Sequence, residues 1–117
     1  MSDLLYRTPP YSVEAEQAVL GAMLVTEKAV VMAAQSLKED ELYVNAHQVI
    51  YAAMLKLYLG NTTIDIITVT DRLRQDGVLE VAGGSKYLTD LILTVPESAD
   101  VTRYVLLIKE KHTLRRL

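Results

Sequence analysis

The side chains able to do chemistry in this 117-residue sequence are few, and their spacing limits what they can do. The two histidines, His47 and His112, lie far apart, and neither belongs to a His-x-x-x-His pair of the kind that holds a metal on one helix face. Nucleophilic catalysis needs a Ser, Cys or Thr beside a base, but His47 sits in a mainly apolar helical stretch with Tyr51 and Met54 and reads as a packing or capping histidine. Glu14 and Glu16 offer two carboxylates; i,i+2 residues do not face each other on a helix, so they read as favourable charge at a helix N-terminus. Gly83-Gly84-Ser85-Lys86 has the composition of a phosphate loop without its order, Gly-x-x-x-x-Gly-Lys-Ser/Thr after a strand. It reads as a turn followed by an N-cap. Cysteine is absent, which removes disulfides, iron–sulfur clusters and thiolate zinc sites together. The residues therefore predict no catalytic group, no cofactor site and no metal site.

The remaining chemical feature is one basic cluster. Residues 103–117 hold Arg103, Lys109, Lys111, Arg115 and Arg116, five of the 12 basic residues, against one of the 15 acidic ones. The rest of the chain is acidic and does not resemble a surface that neutralises phosphates. Cations in the C-terminal half of a helix ordinarily lie in solvent and complement its dipole; nucleic-acid contact through this helix is the alternative.

These groups must be carried by one domain, since the length allows a single core, half the residues are apolar and under a quarter are charged. Ser12 caps a helix over about 13–24, with Ala15, Ala18, Val19 and Ala22 at helical spacing; Gly21 inside it suits close approach of a neighbouring helix. Thr26 caps a second helix, Glu27 to Leu37, ended by Lys38-Glu39-Asp40-Glu41. Asn45 with Gln48 reads as a capping-box variant opening a third helix, apolar nearly all round and hence central, which Gly60-Asn61 stops at a left-handed cap. Asp65 through Gln75 reads as a fourth helix closed near Gly77, with a strand at 63–69 as the alternative. Ser85 caps a fifth, carrying Tyr87, Leu88, Leu91 and Ile92 towards Val95-Pro96.

The last helix starts near Ser98 or Asp100 and still runs at Leu117. Val101, Tyr104, Val105 and Ile108 form one stripe, whereas Leu106, Leu107, Leu114 and Leu117 fall on roughly the opposite side. One face serves the core and the other needs a different partner. The expected architecture is all-α: a compact bundle of about six helices, with a lead-in at 1–11, a globular unit at 12–97, and 98–117 as the first helix of a hairpin that continues beyond Leu117. No leader peptide or membrane-spanning run is visible, so a soluble, cytoplasmic protein is expected.

Tyr11 to Gly21, with its Ser-Val-Glu-Ala-Glu-Gln-Ala-Val-Leu-Gly, resembles the N-terminal domain of bacterial replicative DNA helicases of the DnaB family. Further matching elements follow in family order: Asn45-Ala46-His47-Gln48-Val49-Ile50-Tyr51, Ile64-Asp65-Ile66-Ile67-Thr68-Val69, Ala82-Gly83-Gly84 with Tyr87-Leu88, Val95-Pro96, and Tyr104 through Lys109. Each is weak by itself, being a cap or a turn, but six in order over about residues 9–117 are specific.

The resemblance implies the collar domain of a hexameric helicase that unwinds duplex DNA at the replication fork, with ATP and Mg²⁺ bound by a separate RecA-like domain beyond this sequence. It implies docking of a DnaG-type primase, with Glu14 and Tyr87 as candidate contacts. It also implies that the last helix begins an antiparallel hairpin through which subunits pair, giving Leu106, Leu107, Leu114 and Leu117 a subunit-interface role. DNA is then met through the whole helicase, and no membrane is involved. Two other classes compete: a free-standing helical regulator using its basic last helix on DNA, and a small helical enzyme, which would need a cleft of perturbed titratable groups.

Overall fold

The computed structural model describes residues 9–96 and 100–117, and among these every regular element is helical. Six α-helices follow in order: α1 (Val13–Val25), α2 (Glu27–Ser36), α3 (Asn45–Leu59), α4 (Ile66–Gln75), α5 (Gly84–Leu93) and α6 (Val101–Arg115), with a short 3₁₀ turn, η1 (Glu39–Glu41), between α2 and α3. The all-α bundle read from periodicity is the architecture found.

Helix α1 is the axis of the domain. It packs against α2, α3, α5 and α6, and its residues from Ala15 to Leu24 are buried except for the partly buried Gln17. The Ser12 side chain accepts from Ala15 N–H at 3.2 Å and Thr26 accepts from Ala29 N–H at 3.2 Å, so both expected caps are made. Gly21 is where α5 crosses closest: a Cβ there would run into the Leu91 carbonyl oxygen and the Val95 side chain. The core joins Val19, Leu20 and Met23 of α1 to Ile50, Tyr51 and Met54 of α3, Leu73 of α4, Leu88 and Leu91 of α5, and Val105 and Ile108 of α6.

The strand alternative at 63–69 is settled by side-chain chemistry. Asp65 Oδ1 accepts from Thr68 N–H at 2.9 Å while Thr68 Oγ1 accepts from Asp65 N–H at 3.0 Å. This reciprocal box satisfies two amide groups at the start of α4 and offsets the poor helix propensity of its β-branched residues. At the other end Gly77 takes φ +71° and Val78 N–H reaches back to Leu73 C=O at 2.9 Å, a Schellman closure. Helix α3 closes the same way, with Asn61 at φ +56° and Thr62 N–H on Leu57 C=O.

Three local expectations differ from the structure. Asn45 is the first residue of α3 rather than its cap; Val44 holds the cap position without a side-chain bond, and Gln48 instead donates to Leu42 C=O at 2.6 Å. Ser85 lies inside α5, which opens at Gly83-Gly84 with both glycines at positive φ and no side-chain cap. Helix α2 stops at Ser36, because Leu37 turns extended and the acidic stretch forms its own turn, where Glu41 accepts from Lys38 N–H at 2.8 Å. Helix α6 is capped by Asp100, whose side chain accepts from Arg103 N–H. Ser98, the other proposed start, lies outside the described residues. No helix among the described residues is long and apolar enough to cross a membrane.

Candidate partner-docking site

A buried polar line crosses the bundle from the Tyr43–Val44 segment ahead of α3, through α1 and α3, to α5. Glu16 is 1% exposed and His47 0%, which is unusual for ionisable side chains unless their polar atoms are paired. Here all of them are. Glu16 Oε2 accepts from Tyr43 N–H at 2.7 Å and Oε1 from Val44 N–H at 3.3 Å, which serves two amides at the uncapped entry to α3. His47 Nδ1 lies 2.7 Å from Glu16 Oε1, and its Nε2 lies 2.6 Å from the Tyr87 hydroxyl. Gln17 Nε2 donates to the same hydroxyl at 3.1 Å. Among the described residues no buried side-chain nitrogen or oxygen is left without a partner.

Tyr87 is placed by its neighbours on the chain as well. The Tyr87 side chain covers Gly83, where an added Cβ would come within 2.9 Å of Tyr87 Cβ, and Gly83 already requires φ +101°. The double glycine that superficially resembled a phosphate loop thus makes room for a ring. The His47 and Tyr87 rings lie within 8° of parallel, with centroids 5.9 Å apart. Tyr87 ends half-buried, with its hydroxyl turned inward. Glu14 is exposed on the first turn of α1, one helical step from Gln17. Gln17 therefore lies between the two docking candidates, touching one and neighbouring the other.

Glu16 corrects the sequence-based reading. It is a buried hydrogen-bond acceptor holding His47 and the start of α3, in addition to lying in the first turn of α1. A signal was present: Glu16 falls in a run from Ala15 to Leu24 with no other charged residue, so a carboxylate there needed a buried partner. His47 is the packing histidine expected of it.

The basic cluster on α6 is partly committed to the fold, a correction to its reading as solvated cations. Lys109 Nζ bonds both Glu41 oxygens, at 2.9 and 2.8 Å, and the Ser36 carbonyl at 2.8 Å. Burial pushes the Glu41 pKa up, but the Lys109 hydrogen bond, the Lys38 amide and the charges of Lys109 and His112 outweigh it and hold it below the usual carboxylate range. Arg115 donates to the carbonyl oxygens of Pro10 at 2.8 Å and Glu41 at 2.9 Å, and lies 5.1 Å from the centroid of Tyr43, which stacks on Tyr11 at 4.4 Å. The stripe of four leucines also divides: Leu106, Leu114 and Leu117 are exposed, whereas Leu107 is partly buried and packs against the core. Among the described residues no three His, Asp or Glu side chains gather as a metal site.

Comparison with known proteins shows the family to which the chain belongs. Residues 8–110 match the family described as DnaB-like helicase N terminal domain. The chain is 44% identical over 118 residues to the Replicative DNA helicase DnaC of Bacillus subtilis (strain 168), covering 100% of this chain and 26% of that protein. It is 42% identical over 111 residues to the Replicative DNA helicase DnaB of Rhodothermus marinus, covering 95% of this chain and 12% of that protein. The crystal structure of the N-terminal domain of DnaB helicase from Mycobacterium tuberculosis superposes with a TM-score of 0.89 at 39% identity, over 93% of this chain and 79% of that one. The chain thus spans about a quarter or less of the curated relatives it matches. A bundle whose axis is α1, whose start of α3 hangs on a buried glutamate, and whose sequence matches from residue 8 to residue 110 belongs to the N-terminal domain family of DnaB-like replicative helicases.

Proposed function

We propose that this chain is the collar and primase-docking domain of a hexameric, ATP-driven replicative helicase acting at the fork in the cytoplasm. The ATP and Mg²⁺ chemistry would belong to a part of the protein outside this sequence. The observation that carries the docking reading is the bridge at Gln17, whose side chain donates to Tyr87 and which neighbours the exposed Glu14, so that the two candidates share one edge of the molecule. A half-buried aromatic beside an exposed charge has the composition of a small interaction hot spot with a polar rim. Subunit pairing is assigned to the outward leucines of α6, Leu106, Leu114 and Leu117, with Leu107 supporting them from the core side. DNA contact is assigned to the assembled helicase, because Lys109 and Arg115 are engaged within the domain.

The test is calorimetric titration of the C-terminal helical domain of the cognate DnaG-type primase into the wild-type domain, Tyr87→Ala and Glu14→Ala, with melting curves alongside. Tyr87→Ala is expected to weaken binding by about 1–3 kcal/mol. Glu14→Ala is expected to weaken it by under about 1 kcal/mol, an effect that fades at high salt. A folded wild-type domain that does not bind at about 100 μM, where micromolar affinity would register, removes the docking reading.

A further inference from the structure

With His47 as a neutral imidazole, the buried line from Glu16 to Tyr87 sets which way the tyrosine hydroxyl points. A phenol has one proton to give and can also accept, a neutral imidazole gives from one nitrogen and accepts at the other, and a carboxylate only accepts. Glu16 accepts from two backbone amides, and His47 Nδ1 lies 2.7 Å from it, so the imidazole proton belongs on Nδ1. That leaves Nε2 as an acceptor 2.6 Å from the Tyr87 oxygen, and Gln17 Nε2, which can only give, supplies the other bond at 3.1 Å. The Tyr87 proton then has one buried destination. With the hydroxyl giving inward and receiving from Gln17, both of its bonds are made within the domain, which leaves a partner only the exposed part of a ring that otherwise packs against the core.

We infer that Glu16 and His47 are positioning residues for docking: they anchor the Tyr87 hydroxyl so that the surface offers an apolar aromatic face, in one fixed orientation, to an apolar side chain of the partner helix. This deepens the primase-docking reading and rests on it. The amides of Tyr43 and Val44 require Glu16, but they do not require the line to continue through a fully buried His47 to the Tyr87 hydroxyl, and that continuation is what the positioning role accounts for. It also assigns Gly83 its role, because the ring rests where a Cβ would stand. A ring held in one rotamer loses less freedom on binding than one that must be ordered by the partner.

Two measurements test it. Nitrogen-15 spectra of the wild-type domain without partner should show His47 with Nδ1 protonated and Nε2 unprotonated, and a Tyr87 hydroxyl proton protected from exchange. Protonation of Nε2, alone or together with Nδ1, would overturn the inward-giving arrangement. In titrations with the primase domain, Tyr87→Phe removes the anchored hydroxyl itself, so it should weaken binding at least about fivefold, as His47→Leu does, and the double variant should bind no worse than either; equal binding by Tyr87→Phe, or losses that multiply in the double variant as they would if the hydroxyl bonded the partner, would overturn the proposal.

His47→Leu, which unties the ring, is expected to weaken binding at least about fivefold, whereas His47→Gln, which keeps a polar atom for the hydroxyl, should recover most of that loss among variants whose melting curves show them folded. Equal binding by folded His47→Leu, or failure of His47→Gln to recover, would overturn the positioning role. If His47→Leu does not fold, the Tyr87→Phe titration and the nitrogen spectra still decide. A wild-type domain that binds no primase overturns both this role and the docking reading, and the nitrogen spectra then show separately whether the anchored hydroxyl persists as a property of the fold.

Discussion

At the scale of single residues, the buried side chains of Glu16, Glu41 and Tyr51 each complete something the backbone leaves open. Tyr51 is fully buried, and its one hydroxyl proton is shared between the carbonyl oxygens of Leu37 at 2.7 Å and Ala33 at 3.0 Å, covering the end of α2. Burial and the charge of Glu41 push its pKa above the usual phenol value, so the group stays protonated where it is needed as a donor. Tyr51→Phe keeps the ring but orphans the Leu37 carbonyl, and should cost about 1–2 kcal/mol in urea unfolding. Glu41 makes a prediction with a pH sign. Its folded-state pKa lies below the unfolded one, so its stabilisation is present above the ordinary carboxylate range and is lost as pH falls through the folded value. Glu41→Gln should therefore lower stability at neutral pH by under about 1 kcal/mol, since Lys109 is over a third exposed, and the mutant and wild-type curves should converge on acidification. Unfolding midpoints measured from about pH 7 down to about pH 3 would show this.

At the scale of elements, helices were legible where apolar spacing and a cap agreed, as at Ser12 for α1 and Thr26 for α2. Their caps were illegible where the backbone amides are served from far away in sequence. The start of α3 is capped across space by Glu16, so Asn45 and Gln48 look like a local cap that the chain does not use. For the same reason His47 could be read as a packing residue while its partners, Glu16 and Tyr87, could not be found: they lie 31 and 40 residues away. The basic run on α6 was visible, but its destination was not, because Glu41 belongs to a turn that periodicity does not describe. Two substitutions probe the elements. Asp65→Ala removes one half of the box that starts α4 and should cost about 1 kcal/mol, read as a fall in melting temperature. Gly21→Ala places a methyl group against the Leu91 carbonyl and Val95, so despite the better helix propensity of alanine it should destabilise by about 1–3 kcal/mol, measured by denaturant unfolding.

At the scale of the whole molecule, the outward leucines of α6 set the self-association expected of this chain. Leu106 is 61% exposed and Leu117 93%, but one helix face offers less area than the roughly 1,200 Å² of a stable interface. Sedimentation velocity at micromolar concentration should give a monomer with weak dimerisation, and Leu106→Glu should abolish the dimer; a stable hexamer of this chain would contradict that account. The packing of α6 on α1 has another consequence, in the order of events by which the domain forms. These are the first and last helices of the described chain, and Arg115 closes the circle by holding the Pro10 carbonyl. Neighbouring pairs such as α1 with α2 and α3 with α4 can form from short stretches, whereas α1 with α6 joins segments separated by most of the sequence. A chain emerging from the ribosome must therefore wait with one flank of its central helix open until α6 arrives, and the closing of that ring of helices should set the refolding rate.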